Sequence, residues 1–154
     1  MNEKNSIDLE SAPCSIIGSR LFDAPRELVF RAFSDPILLA RWWGPKDFTN
    51  TFHKFDLRPG GAWRFVMHGP DGTDYPMVKD FIEVVSPERI VLQHLAPMHR
   101  FRMTVTFADE GDKTRLTWRM LFESAAELEK VRELVSTANE QNFDRLESQL
   151  ATMA

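Results

Sequence analysis

The sequence contains a single cysteine, Cys14, and no apolar run long enough to cross a bilayer. One cysteine cannot form an internal disulfide, and a transmembrane helix needs about 20 consecutive apolar residues. The polar N-terminal segment lacks the apolar core of a secretory signal peptide. These absences predict a cytoplasmic protein with no membrane span.

The sequence also lacks an excess of positive charge. The 154 residues include 19 Lys and Arg against 23 Asp and Glu, a formal net charge of −4. A surface that binds nucleic acid needs an excess of basic residues to neutralise phosphates, so we predict no nucleic-acid partner. Aromatic and sulfur-containing residues are abundant instead, with 12 Phe, 4 Trp and 7 Met but one Tyr. This composition is compatible with a globular domain that binds an apolar molecule.

Recognisable catalytic and metal-binding patterns are missing as well. The four histidines His53, His68, His94 and His99 do not have the spacing of metal ligands. The sequence also has no nucleophile elbow, no phosphate-binding glycine loop and no dinucleotide fingerprint. We therefore predict no metal and no cofactor, and we identify no catalytic residue.

The chain divides into a polar leader, residues 1–12, and one domain over residues 13–154. A β-rich run at Ser15–Asp23 predicts the first strand. Two helix starts follow, because Asp23–Pro25 and Asp35–Pro36 each combine a capping side chain with a proline for the first turn.

From Phe48 to Phe122 apolar and polar residues alternate, and tight-turn sequences interrupt the alternation. This pattern predicts an antiparallel meander with one dry face. Ser124 and Glu127 then form a capping box for a helix over Ala125–Ala151, which at about 1.5 Å per residue must lie across the sheet. The predicted class is α+β.

A sheet with aromatic and methionine side chains facing one long helix predicts a cavity between them. Asn139 and Asn142 project near the apolar stripe of the helix, where a buried amide needs a partner. A ligand or water in a pocket could serve, and so could neighbouring backbone. The predicted ligand-binding residues are Trp43, Trp63, Phe65, Met67, His94, Phe101, Met103, Trp118, Met120, Val135, Asn139 and Asn142.

Two orientations stay open at this stage. Either Gln93 or His94 faces the cavity, and an inward histidine could act as an acid or base near neutral pH. Trp42 and Trp43 cannot both turn their rings the same way. One ring could seal the cavity mouth, or both could pack under the short helices.

Several ordered motifs resemble one family. They are Phe22–Phe30 (FDAPRELVF), Arg41–Pro45 (RWWGP), Asp56–Gly61 (DLRPGG), Asp71–Gly72, Thr114–Thr117 (TRLT) and Phe143–Leu146 (FDRL). In this order they are similar to the bacterial AHSA1-like proteins of the START/Bet v1-like (SRPBCC) superfamily, over about residues 15–150.

The resemblance implies a helix-grip fold. This is a curved antiparallel sheet of six or seven strands, with two short helices and a long C-terminal helix across the concave face. It also implies a hydrophobic cavity for a small molecule. Many relatives have Gly-Trp where this chain has Ala138 and Asn139, which predicts a roomier and more polar cavity floor.

Three functions follow as expectations. The first is a carrier or sensor that binds a small apolar or amphipathic molecule. The second is an enzyme of cyclase, dehydratase or hydrolase type that uses the same cavity. The third is an Hsp90 co-chaperone-like interaction module, which the chain supports least because it lacks the extra N-terminal domain of the eukaryotic activators. A homodimer also stays open.

Overall fold

The computed structural model describes residues 14–153, so the predicted leader lies outside the described residues. Strand β1 (Ser15–Phe22) is followed by two short helices, α1 (Arg26–Ser34) and α2 (Pro36–Trp42). Six strands and one helix come next: β2 (Thr49–Phe55), β3 (Ala62–His68), β4 (Asp74–Val85), β5 (Arg89–Ala96), β6 (Phe101–Glu110), β7 (Lys113–Phe122) and α3 (Ala125–Met153). None of these helices combines the length and apolar character that a membrane crossing requires.

The seven strands form one antiparallel sheet in the order β1-β7-β6-β5-β4-β3-β2. Strands β2 to β7 are a meander, and β1 pairs with the last of them, so the two short helices bridge the opposite edges of the sheet. The predicted α+β helix-grip architecture is confirmed, with seven strands.

Residues alternate between the two faces of the sheet, as the sequence predicts. In β3 and β7 every second residue is buried, on the face that α3 covers, which we call the inner face. In β5 the inward residue is His94, which is 3% exposed. Gln93 instead donates its side-chain amide to the Phe101 carbonyl. The open orientation is thereby resolved in favour of His94.

The predicted helix starts are confirmed in part. Asp35 caps α2, since its carboxylate accepts the Ile37 amide at 2.9 Å and Pro36 occupies the first turn. For α1 the prediction is wrong, because Pro25 is itself the extended N-cap residue and no side chain caps the helix. At α3 the Ser124 hydroxyl accepts the Glu127 amide at 3.1 Å, which is half of the predicted capping box.

The turn before β3 needs its glycines. Gly60 has a φ of +83°, and a Cβ on Gly61 would lie 1.9 Å from the Asp56 carbonyl oxygen. Both glycines bond to the backbone of Phe81 in β4, at 2.9 Å each. This turn therefore fixes β3 against β4 and, with it, the inward direction of Trp63.

Candidate ligand-binding site

Trp43 lies at the centre of a cluster of aromatic rings on the inner face. Its ring centroid is 5.6 Å from Trp42, 5.1 Å from Trp63 and 5.8 Å from Trp118, all in edge-to-face contacts. Trp42 packs the other way, against Phe33 at 4.8 Å. The adjacent tryptophans thus serve two layers: Trp42 packs under α1 and Trp43 lies inside the domain.

Two side chains of α3 hold Trp43 in this position through the backbone. Asn142 donates its amide to the Trp42 carbonyl at 3.0 Å. Arg145 donates one guanidinium nitrogen to the carbonyls of Trp43, Gly44 and Pro45, at 3.2, 3.1 and 2.9 Å. Of the two readings left open for Asn142, the structure shows bonding to neighbouring backbone.

The side chains fill most of the interior. The cavity bordered by Trp43, Trp63 and Phe81 has a volume of about 10 Å³. That is room for about one water molecule, whereas drug-sized ligands occupy roughly 300–1,000 Å³. The described side chains therefore occupy much of the place where the sequence predicted an open chamber. Asn139 does not line this cavity, so the roomier floor beside it stays a prediction.

A charged residue that sequence analysis missed lies on this face. Lys79 of β4 is 2% exposed. Its Nζ lies 5.9 Å from the ring centroids of Trp43 and Trp63 and 5.2 Å from that of Phe101. Among the described residues no carboxylate is paired with it, and its hydrogen-bond partner is His94. A lysine without a counter-ion is thus enclosed by aromatic rings.

The Lys79–His94 pair has a defined hydrogen-bond direction. His94 Nε2 lies 2.9 Å from the Pro97 carbonyl oxygen, which can only accept, so Nε2 carries the proton. In the neutral ring Nδ1 is then the acceptor, and it lies 3.1 Å from Lys79 Nζ. The ring of His94 also stacks on Phe101 at 4.8 Å.

Burial favours the uncharged form of both groups. Desolvation lowers the pKa of the Lys79 ammonium from 10.5 to about 7. For His94, desolvation first and the charge of Lys79 second lower the pKa from 6.5 to about 4. Near neutral pH the histidine is uncharged and a substantial fraction of Lys79 is a free amine. Pairs with strongly perturbed pKa values are enriched at functional sites.

Buried hydrogen-bond donors without acceptors surround the same interior. The indole N–H groups of Trp63 and Trp118 have no partner, and neither does the side-chain amide nitrogen of Asn139. Each unmet buried group costs on the order of 1–3 kcal/mol. All three are donors, whereas the buried side-chain acceptor without a partner among the described residues is Asn50 Oδ1. A ligand with carbonyl or carboxylate oxygens would supply what is missing.

The hairpin between β5 and β6 borders this polar end. Met98 at its tip is 75% exposed, and the next residue, His99, bonds to Glu127 in the first turn of α3 at 2.6 Å. The hydrogen bond to His99, together with that of Lys130, lowers the pKa of the Glu127 carboxyl. The hairpin is thereby fastened to the start of α3.

A larger, open cleft of about 360 Å³ lies on the outside, between α2 and the C-terminal half of α3. Its basic wall includes Arg145, whose guanidinium already donates to four backbone carbonyls. Asp144 on the same cleft is bound to Arg20. Arg145 and Asp144 are thus committed to holding the fold, whereas the side-chain nitrogen of Gln149, which also lines the cleft, has no partner.

The predicted site residues form one continuous layer. Those of the strands and of the α2–β2 connection all lie on the inner face or in its aromatic cluster: Trp43, Trp63, Phe65, Met67, His94, Phe101, Met103, Trp118 and Met120. Val135 is half-buried against them, and Asn139 is buried. Alternation with Tyr75, Met77 and Phe81 was the signal that could have placed Lys79 with them.

Over residues 14–153 no three His, Cys, Asp or Glu side chains come together in a group that could hold a metal ion. The side chains of the site offer several chemical groups of their own. These are one buried amine, one neutral imidazole beside it, free N–H donors, and an apolar aromatic wall.

Comparison with known proteins agrees with this architecture. Residues 23–151 match the family model "Activator of Hsp90 ATPase homolog 1-like protein". Among curated proteins, none matches the sequence significantly. A crystal structure from Nitrosomonas europaea is 23% identical with a TM-score of 0.84, covering 93% of this chain and 97% of that one. A solution structure from Arthrobacter aurescens is 25% identical with a TM-score of 0.85, covering 92% and 88%.

Proposed function

The chain belongs to the family of Activator of Hsp90 ATPase homolog 1-like proteins, and from this premise we propose that it binds a small apolar or amphipathic molecule between the sheet and α3. The AHSA1/Bet v1-like fold is known for ligand binding. The polar end of the ligand meets Lys79 and His94, and its apolar part lies against Trp43, Trp63 and Phe101. The protein then acts as a carrier or sensor of this molecule.

The observation that carries the proposal is the buried Lys79 without a counter-ion, amid donors that have no acceptor. Enclosing an amine in an apolar interior destabilises the fold unless a partner compensates. Nothing in the packing of the sheet requires a lysine at this position, since an apolar residue of similar length would fill the same space. A ligand with acceptor oxygens explains both the lysine and the free N–H groups.

The closed interior requires side chains to move when the ligand binds. The layer beside the aromatic rings is rich in methionine, at Met67, Met77, Met103 and Met120. Methionine has three rotatable bonds and adapts to irregular apolar surfaces. Rearrangement of this layer opens room next to Lys79 without breaking strand pairing.

The first half of α3 and the β5–β6 hairpin provide the entry route. Val131 and Val135 are only half-buried under this part of the helix, and Leu134 is 71% exposed. The partly buried contact between His99 and Glu127 joins the two elements. Separation of this contact would give access to the Lys79 end of the inner face.

Titration with decanoate and with decanol tests the proposal, because the two probes share a chain and differ in the head group. We expect saturable binding of one molecule per chain, read from the emission of the interior tryptophans, and a rise in melting temperature. Binding to the native state alone adds about 2.7 kcal/mol at 100 Kd of free ligand. Decanoate should bind more tightly than decanol.

Two lysine variants locate the bound head group. Lys79→Met should remove the preference for decanoate, whereas Lys130→Met, which changes an exposed lysine of α3, should retain it. If neither probe binds saturably at millimolar concentration, the proposed function is wrong. If Lys79→Met keeps the full preference for decanoate, the head group binds elsewhere.

A further inference from the structure

We propose that Lys79 is a nucleophilic amine that condenses with a small aldehyde or ketone held in this pocket, forming an imine with His94 as the proton relay. This inference rests on the proposed function, because the carbonyl compound must first bind next to the rings of Trp43, Trp63 and Phe101. It adds covalent chemistry and a substrate class to a site otherwise assigned only to binding.

The surroundings of Lys79 match what an amine nucleophile needs. Its Nζ is enclosed by aromatic rings at 5.2 to 5.9 Å, and no described carboxylate holds it in the ammonium form. Burial lowers its pKa to about 7, so a free lone pair is available near neutral pH. Desolvation in an apolar pocket is an established way to activate a lysine.

His94 is oriented to move the proton that the reaction releases. Its Nε2–H is committed to the Pro97 carbonyl, which leaves the Nδ1 lone pair directed at Lys79 Nζ at 3.1 Å. The amine therefore donates one N–H to Nδ1, and its own lone pair stays available for a carbonyl carbon. The low pKa of His94, about 4, means that the imidazole starts neutral and passes an accepted proton on readily.

The reaction balances without any oxidant or reductant. The Lys79 nitrogen attacks the carbonyl carbon and the C=O π electrons move to oxygen, giving a carbinolamine after His94 has carried a proton from nitrogen to oxygen. The C–O bond then breaks, and both amine protons leave with that oxygen as water. The product is a C=N bond between Lys79 and the former carbonyl carbon.

The free donors of the interior point to carbonyl substrates in particular. A carbonyl oxygen accepts hydrogen bonds, and the indole N–H of Trp63, whose ring centroid lies 5.9 Å from Lys79 Nζ, has no acceptor. A donor to that oxygen polarises the carbonyl and stabilises the developing negative charge during attack.

Acetylacetone is a suitable probe for this amine. It is compact, and its condensation with a neutral amine releases water and gives a conjugated enaminone that absorbs in the near ultraviolet and needs no reductant. We expect one enaminone per folded chain near pH 7.5, located at Lys79 by mass spectrometry of peptides. The α-amino group is also partly neutral at that pH, so peptide mapping is required.

Three variants separate the role of Lys79 as the nucleophile from that of His94 as the proton relay. Lys79→Met should abolish the interior adduct, and Lys130→Met should label like the wild type. His94→Gln keeps a hydrogen-bond acceptor but cannot relay a proton, so labelling of Lys79 should slow by about tenfold or more while reaching the same extent. The wild-type rate should rise as the pH passes through about 7, the pKa of Lys79, and level off about one pH unit above it, where most of the amine is neutral.

The result that overturns the inference is an unmodified Lys79 in the folded wild-type protein after prolonged exposure to acetylacetone. If decanoate still binds to the same preparation, the site binds ligands without covalent chemistry and the proposed function stands. If decanoate and decanol also fail to bind, both proposals are wrong. Equal labelling rates in His94→Gln and wild type would remove His94 from the mechanism but leave the lysine.

Discussion

The two halves of α3 differ in how they are held, although they belong to one continuous helix of 29 residues. In the C-terminal half Phe143 and Leu146 are fully buried, and Arg145 grips the loop after α2. In the N-terminal half Leu128 is buried but Val131 is only half-buried.

The two halves of α3 also differ in their charged contacts with the rest of the domain. Arg20 of β1 binds three carboxylates of the C-terminal half, those of Glu140, Asp144 and Glu147, at 2.8 to 3.2 Å. The N-terminal half reaches the sheet side through His99 and Glu127. The difference shows that one half of the helix anchors the fold, while the other half, the covering half, is held more loosely beside the β5–β6 hairpin, where we propose that a ligand enters.

The largest expected loss of stability comes from removing a buried side chain from the C-terminal half of α3. Phe143→Ala removes a ring that packs against Trp118 at 4.6 Å and Phe22 at 5.9 Å. Replacement of a buried phenylalanine by alanine costs about 3–5 kcal/mol, which urea denaturation measures. Leu134→Ala in the covering half is the matched control, since it is 71% exposed and should change stability by less than about 0.5 kcal/mol. Equal losses would mean that the two halves do not differ.

A smaller loss is expected when the clamp around Trp43 is removed. Arg145→Met keeps an unbranched side chain but removes the donor to the carbonyls of Arg41, Trp43, Gly44 and Pro45. Unpairing partly buried carbonyls should lower the free energy of unfolding by about 2 kcal/mol.

Arg132→Met provides the control for that clamp, because Arg132 makes an exposed ion pair with Glu129 one turn away. Such pairs contribute about 0.2–1 kcal/mol. A loss in Arg145→Met no larger than that in Arg132→Met would show that the loop holds Trp43 by itself.

The stability of the fold should depend on pH because of Lys79, a buried residue of β4. Unfolded lysine titrates near 10.5 and folded Lys79 near 7, so between these values the unfolded chain binds more protons. Stability contributed by this group is therefore highest above pH 10.5, falls as the pH falls, and levels off below about 7. The slope is about 1.4 kcal/mol per pH unit, or about 2 kcal/mol between pH 7.5 and 9.

Comparison of Lys79→Met with the wild type isolates that slope from other titrations. The variant should be more stable at pH 7 and should lose the rise between pH 7.5 and 9. The titratable side chain facing Lys79 is His94, whose pKa of about 4 places its own effect at lower pH. Parallel curves for the two proteins would show that Lys79 stays charged in the fold.

Most of the architecture could be predicted because its signals are local. Strict alternation in β3 and β7 set the inner face, and Ser124 marked the start of α3. In β5 the continuous apolar run Ile90–Leu92 comes directly before Gln93 and His94, so period two could not decide which of these two residues points inward. The family resemblance is confirmed by the match over residues 23–151.

The state of the interior could not be predicted, because it depends on contacts between residues far apart in the chain. Trp43 fills the centre since side chains about 100 positions later hold its backbone. Lys79 was missed because a lysine next to Asp80 is typical of a wet face. The homodimer, the Hsp90 interaction and the cytoplasmic location stay predictions.

The smallest expected change in stability comes from weakening the His99–Glu127 contact, which joins the β5–β6 hairpin to the N-terminal half of α3. His99→Gln weakens the contact with Glu127, whose carboxylate also bonds to Lys130 and therefore keeps a partner. We expect the melting temperature to stay close to that of the wild type, because the contact is partly exposed and ion pairs of this kind contribute little. The rate of decanoate binding in stopped-flow fluorescence should rise several-fold, since separation of the hairpin from α3 is the proposed entry step.

His68→Gln, which alters a histidine paired with Asp74 away from α3, is the control and should leave that rate unchanged. An unchanged rate in His99→Gln would move the entry route to another part of the covering half.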